Sequence, residues 1–353
     1  MKTHLRTVVC LVAAALGAEA GNPERMGQAG AMQLLINPYA RNAGMSGANS
    51  ARMRGLEAQF MNIAGTAFTR KTEVMFNHSK WLTGTDIAIN AFGLTQGVGE
   101  TGTIGFGIVS INAGKIEITT EEQPEGGLGT YNPTFYNVSF SYAKMFSDNI
   151  YGGVNVKWIN EQIPNVRATG VALDAGIQYH TGKYDHIHIG IALKNWGPKM
   201  AFKGDGLSRQ VVVNSISGSY EMTVNNRSSD FELPTLVNIG AAYDFYLTRD
   251  SVGRSRTHRI SLNGTYTSNS FSYDNGLIGL EYAWKEMLML RGGLLMEKGI
   301  FSGDRRTAYT GPAAGMTVEL PFNLKGSTIG VDYSYRFTNP FGGTHTMGLR
   351  LNL

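Results

Sequence analysis

His186 and His188 stand two residues apart in the run HIHIGIALK. In an extended strand that spacing puts both rings on one face, where they could share a metal ion. No third ligand accompanies them at matching spacing, and His180 lies beyond a turn. The expectation is a pair of satisfied or interfacial histidines and no metal site. No Gly-x-Ser-x-Gly elbow, phosphate loop or pair of catalytic carboxylates stands out. The only cysteine, Cys10, lies in the apolar run Thr7–Gly17, behind Lys2 and Arg6. Followed by Ala18-Glu19-Ala20, that run reads as a signal peptide over residues 1–20, too short to span a bilayer. Cleavage after Ala20 leaves no thiol, which removes disulfides, thiol catalysis and cysteine-ligated metals. Neither an enzyme nor a cofactor is expected.

The other ionisable side chains do have a pattern. Lys157, Asp174, His188, Arg291, Asp332, Arg336 and Arg350 each sit in a short segment that alternates polar with apolar. The segment Thr328–Phe337 shows it best. Ile329, Val331, Tyr333, Tyr335 and Phe337 fall on one face, with Gly330, Asp332, Ser334 and Arg336 on the other. A period of two assigns alternate residues to opposite faces of a sheet. These seven side chains are therefore candidate polar residues of an interior, joined in salt bridges or lining a polar path.

About fourteen such segments run from Glu73–Trp81 to Thr346–Leu353. The composition suits a sheet with one face in lipid: 42% hydrophobic, 45 Gly, 16 Tyr, 16 Phe and 16% charged. Soluble domains carry roughly a quarter charged residues. The formal charge of +4 is dispersed and argues against nucleic acid as a partner. No later run approaches the roughly twenty apolar residues of a membrane helix, so a membrane protein of this composition must be a β-barrel. Connection lengths point the same way. Six connections, among them Phe146–Ile150 and Lys285–Met287, are read as periplasmic turns. Those read as outer are Asn112–Thr134, Glu161–Gly170, Asn195–Thr235, Ser268–Gly276, Glu297–Pro312 and Thr338–His345. They are longer save for two exceptions to the rule, the tight first outer turn at Thr83–Gly84 and the long periplasmic segment Leu247–His258. Long and short connections alternate in outer-membrane barrels. Within Asn195–Thr235, Gln210–Val224 still alternates and reads as a hairpin. The basic connection with Arg249, Arg254, Arg256, His258 and Arg259 reads as a solvated turn or a periplasmic docking site.

One stretch refuses the pattern. Ala29–Gly65 is rich in Gly, Ala and Met and neither alternates nor carries a long helical stripe. Within it, LLINPYARNAGMSGA resembles the opening of the PorV/PorQ family of FadL-like outer-membrane proteins. The matching positions are Pro38, Ala40 and Arg41, then Gly44, Met45, Gly47 and Ala48. Lys80-Trp81-Leu82, Gly114-Lys115-Ile116-Glu117 and Asn195-Trp196-Gly197-Pro198-Lys199 are similar too. Asn62-Ile63-Ala64 departs from the family's Asn-Pro-Ala, which leaves the geometry of that joint open.

The resemblance implies an all-β transmembrane antiparallel barrel over residues 72–353 in a Gram-negative outer membrane. It implies an N-terminal plug over residues 21–71. It also implies a non-enzymatic component of type IX protein secretion in Bacteroidota, acting in cargo shuttling, translocon capping or cell-surface attachment. The implied partners are outer-membrane lipid, the translocon, cargo C-terminal signal domains and attachment-complex subunits, met through outer connections 112–134 and 195–235. The alternative expectation is a FadL-like channel for small hydrophobic molecules such as long-chain fatty acids.

Overall fold

The computed structural model describes residues 21–182, 184–216, 218–247, 257–303, 305–322 and 326–353. The signal peptide over 1–20 and the arginines 249, 254 and 256 lie outside the described residues. Fourteen long strands follow one another: β1 (Thr72–Lys80), β2 (Ala88–Val98), β3 (Gly102–Asn112), β4 (Thr134–Met145), β5 (Ile150–Ile163), β6 (Val166–Thr181) and β7 (Ile187–Trp196). The second half holds β8 (Leu236–Tyr246), β9 (His258–Asn269), β10 (Asn275–Trp284), β11 (Leu288–Glu297), β12 (Tyr309–Pro321), β13 (Thr328–Thr338) and β14 (Thr344–Asn352). Each pairs antiparallel with its chain neighbour, and β1 pairs with β14 from Glu73↔Asn352 to Lys80↔His345. The sheet thus closes into a barrel with no free edge among these strands, which satisfies every ladder position without water.

Alternation positions the site. Phe140, Ile177, Val331 and Met347 are 60%, 57%, 56% and 60% exposed on the outer face. Lys157, Asp174, His188, Arg291, Asp332 and Arg350 are buried on the inner one. A soluble sandwich buries its apolar faces, and this sheet does the reverse. The apolar belt therefore belongs in lipid, as in outer-membrane barrels. No helix among the described residues is long and apolar enough to cross a membrane.

Two expectations about the connections need correction. The stretch Glu161–Gly170 is not a long loop. The β5–β6 ladder continues through Glu161↔Ala168 and Gln162↔Arg167 to Ile163↔Val166, leaving only a tight turn at Pro164-Asn165. β5 runs three residues past Asn160 to Ile163, and β6 begins five residues before Val171, at Val166. Arg259 is not part of a solvated turn either. It is the second residue of β9, after His258, and its side chain is buried inside the barrel. The alternating stretch within 195–235 does pair on itself, Ser208–Ser215 against Gly218–Asn225, and stands apart from the barrel sheet.

Residues 31–66 pack against inward faces on several sides. Gln59 Nε2 donates to Ser141 Oγ of β4 at 2.8 Å. Gln178 Nε2 of β6 donates to the carbonyls of Ser50 at 3.2 Å and Met53 at 3.1 Å. Thr265 Oγ1 of β9 donates to the Ala48 carbonyl at 2.8 Å. Only short helical turns form here, such as Ala40–Ala43, Ala58–Met61 and Ile63–Phe68. Gly47 has φ +92° and Gly55 φ +79°, backbone angles that interrupt any longer helix. Gly44 runs along the wall so closely that a Cβ there would lie 2.9 Å from Gly315 Cα of β12. Asn62 supplies the joint that lacks proline. Its side chain accepts from Ala64 N at 3.2 Å and donates to the Ile177 carbonyl at 3.1 Å, tying the joint to β6.

Candidate lumen site

A narrow pocket lies between the N-terminal segment and the inner faces of β3, β4 and β5, with about 30 Å³ of free room, or about 440 Å³ when crevices and the part open to solvent are counted. Leu34, Ile36, Pro38, Tyr39, Phe60 and Val109 supply its apolar lining. Tyr39 and Phe60 meet edge to face with centroids 6.4 Å apart, which fixes both rings. Gly107 leaves space on β3, because a Cβ there would lie 2.5 Å from Gln59 Oε1. Asn137, Ser139, Gln59, Gln33 and Lys157 supply the polar lining. Lys157 is the one charged residue that lines the cavity among the described residues, and it is already matched. Its Nζ lies 2.6 Å from Asp174 Oδ2 and donates to Asn195 Oδ1 at 2.8 Å. The Asn195 backbone N–H donates in turn to Asp174 Oδ1 at 2.8 Å. The cavity therefore offers apolar surface and neutral hydrogen-bonding groups, with no unmatched charge among its lining residues; the buried Lys194 ammonium stacks on the lining Phe60 ring, 4.0 Å from its centroid.

A second set of groups crosses the lumen below it. Glu281 of β10 receives Arg52 at 3.0 Å, Arg259 at 2.8 Å and Arg291 at 2.5 Å. Asp244 of β8 receives Arg52 at 2.9 Å and lies 3.2 Å from His188 Nε2. Arg52 thus joins the N-terminal segment to two strands through two carboxylates. Arg41 pairs with Glu57 at 2.9 Å inside the segment itself, and Glu57 also accepts from Asn42 N at 3.2 Å. Glu57 is fully buried in this pair, while the Arg41 side chain keeps 14% exposure.

The seven candidate lumen residues fall into separate groups. Lys157 and Asp174 border the apolar cavity, whereas His188 and Arg291 belong to the Asp244–Glu281 network. Arg350 pairs with Glu319 at 2.8 Å and lies 3.9 Å from Asp332. Arg336 stands apart, half-buried, its guanidinium 3.6 Å from the centroid of the Tyr309 ring. His186 does not share an inner face with His188, because its ring packs against Tyr243 at 5.0 Å. No group of three or more His, Cys, Asp or Glu among the described residues is placed to hold a metal. Of the motif residues, Pro38, Ala40, Gly44, Met45, Gly47 and Ala48 are buried, and Arg41 is half-buried.

Sequence reasoning missed Arg52, Arg54 and Glu57 as site residues. The signal was present: a spaced pair of arginines in a stretch otherwise almost free of charge. Tyr39 and Phe60 had no such signal, since their meeting depends on the path of an irregular chain.

No protein-family model matches the chain, and no curated protein matches it. Solved structures do. The Pseudomonas putida toluene transporter TodX is similar at a TM-score of 0.55 and 13% identity, covering 90% of this chain and 97% of its own. The Ralstonia pickettii toluene transporter TbuX is similar at 0.51 and 12%, covering 90% and 97%. A Pseudomonas aeruginosa FadL homologue is similar at 0.50 and 11%, with the same coverage. At such identities the likeness is one of fold, and the fold is that of the FadL-like outer-membrane β-barrels.

Proposed function

We propose that this chain is an outer-membrane channel for small, neutral, apolar molecules, with the N-terminal segment as its lumen plug. The observation that carries the proposal is the apolar lining of the lumen pocket, its single lining cation already neutralised by Asp174; its free room of about 30 Å³ widens to toluene size, roughly 150 Å³, only when the N-terminal segment shifts. A free carboxylate entering there finds no unmatched charge among the lining residues and loses its hydration, whereas a neutral apolar molecule loses only unfavourable contact with water. The toluene transporters among the structural neighbours support the same reading. On this account residues 21–71 block the lumen at rest, and Arg52 is the latch that ties them to β8 and β10.

The reading as a type IX secretion component rests on the resemblance of Leu34–Ala48, and the structural neighbours lend it no support. The channel reading therefore takes precedence. Translocon, cargo and attachment-complex partners at connections 112–134 and 195–235 remain part of that second reading only.

The test is binding. Toluene titrated into detergent-solubilised protein should give a saturable signal by calorimetry. Val109 faces the cavity from β3, so Val109→Trp fills it. Overpacking of this kind costs about 1–3 kcal/mol, which the fold should survive. The variant should lose toluene binding by about tenfold or more, as expected when a bulky side chain displaces a ligand worth a few kcal/mol. Unchanged binding in the variant would place the ligand elsewhere.

A further inference from the structure

We propose that a second cleft, at the short-turn end of the lumen, binds a phosphate group carrying one negative charge, with Arg54 as its anchor. The cleft measures about 600 Å³, counting the part open to solvent, and shares no lining residue with the apolar cavity. Arg41, Arg52, Arg54, Arg259 and Arg291 all face it. Four carboxylates answer these five guanidiniums. Glu57 takes Arg41, Asp244 and Glu281 share Arg52, and Glu281 also takes Arg259 and Arg291, with Glu286 closing on Arg259 at 2.6 Å.

Arg54 is the cation left over. Its Nη2 lies 3.3 Å from His180 Nδ1, and its guanidinium stacks 4.3 Å from the Phe68 ring centroid. It meets no carboxylate within salt-bridge distance among the described residues, and it is exposed to the cleft's opening. A ring stacked on one face leaves the in-plane N–H donors of a guanidinium available, and only one of those on Arg54 is turned to His180. Two oxygens of a phosphate match that fork. The cleft also presents arginines from opposite sides, Arg52 and Arg54 from the N-terminal segment and Arg259 and Arg291 from β9 and β11. A tetrahedral oxyanion accepts from several directions, whereas a carboxylate accepts mainly in its plane. Arg54, the one of these five guanidiniums without a carboxylate partner, suits a ligand with one negative charge. That charge is carried equally by monobasic phosphate and by the phosphodiester of a phospholipid headgroup.

The site can be read locally, because Met45, Met53 and Met289 line it. Full-length protein in a neutral detergent, labelled at its methionine methyls, is titrated with sodium phosphate, with dihexanoyl phosphatidylglycerol, and with sodium chloride at matched ionic strength. The three methyl signals should shift saturably with phosphate or the short-chain lipid, and whichever saturates at the lower concentration identifies the source. Arg54→Gln should raise the half-saturation point about tenfold or more, the loss expected when one charge-assisted bond is removed. Arg54→Lys should fall between the two, and the signal of exposed Met32 should stay unmoved as a check on the fold. Equal shifts with chloride, no shift with either phosphate compound, or an unchanged titration in Arg54→Gln would each overturn the assignment. Toluene binding is a separate readout, so failure here leaves the channel reading intact, and the converse holds.

Discussion

Replacing Glu281 by Leu should lower the barrel's stability by about 3–5 kcal/mol, the usual cost of stranding a buried ionic partner. Glu281 is 3% exposed and receives three guanidiniums, from Arg52, Arg259 and Arg291. Asp244 can compensate Arg52 and part of Arg259, but Arg291 keeps only Thr317 and the Met289 sulfur as partners. Its nearest remaining carboxylate would be Asp332, reached only through Thr317. The temperature at which the detergent-resistant folded band converts to the unfolded one on a gel reads the loss. Pairing Glu281→Leu with Arg291→Met should recover a clear part of it, because removing both partners leaves no orphaned charge there. A single variant as stable as the parent would mean that solvent in the lumen screens these pairs and that they do not brace the wall.

Gly293→Val should open the lumen. Gly293 is an inward-facing residue of β11, and a Cβ built on it would lie 2.2 Å from the Met45 carbonyl carbon and 2.6 Å from its Cα. Those atoms are backbone, so no rotamer change relieves the clash. Either β11 bends or the segment around Met45 withdraws. The strand is held by ladders to β10 and β12, whereas the segment is held by scattered side-chain bonds. The segment should therefore move. Purified variant in a planar bilayer should show several-fold higher conductance than the parent, with its gel shift on boiling retained. Gly190→Leu tests a second part of the wall, on β7, where a Cβ would lie 2.8 Å from Ala51 Cα. Parental conductance in both variants, with folding intact, would mean that residues 21–71 do not seal the lumen.

The barrel was legible in the sequence because its information is periodic. Ile329, Val331 and Tyr333 against Gly330, Asp332 and Ser334 name a strand and both of its faces without reference to any neighbour. Strand ends were less legible. A polar run such as Glu161–Gly170 reads as a loop, yet a hairpin standing clear of lipid tolerates polar residues on both faces. The inner residues were legible as a set, but not as pairs. Alternation put Arg291 and Lys157 inside, and only the ring order of the strands decides that one meets Glu281 and the other Asp174. Least legible was the segment 31–66. It forms no long regular element, so its contacts depend on glycine angles and on close approaches such as Gly44 against Gly315. Asn62 shows the point in small. Its missing proline read as an uncertainty, and the side chain that replaces it bonds the joint to the wall.

Uptake across an intact outer membrane tests the central claim most directly. Cells lacking other hydrocarbon channels are given labelled toluene while they express either the parent chain or Val109→Trp, at matched levels of folded, heat-modifiable protein. The account predicts that the parent raises the initial uptake rate well above empty cells and that Val109→Trp falls back toward them. A parent rate equal to that of empty cells would contradict it, and so would a variant rate equal to the parent's.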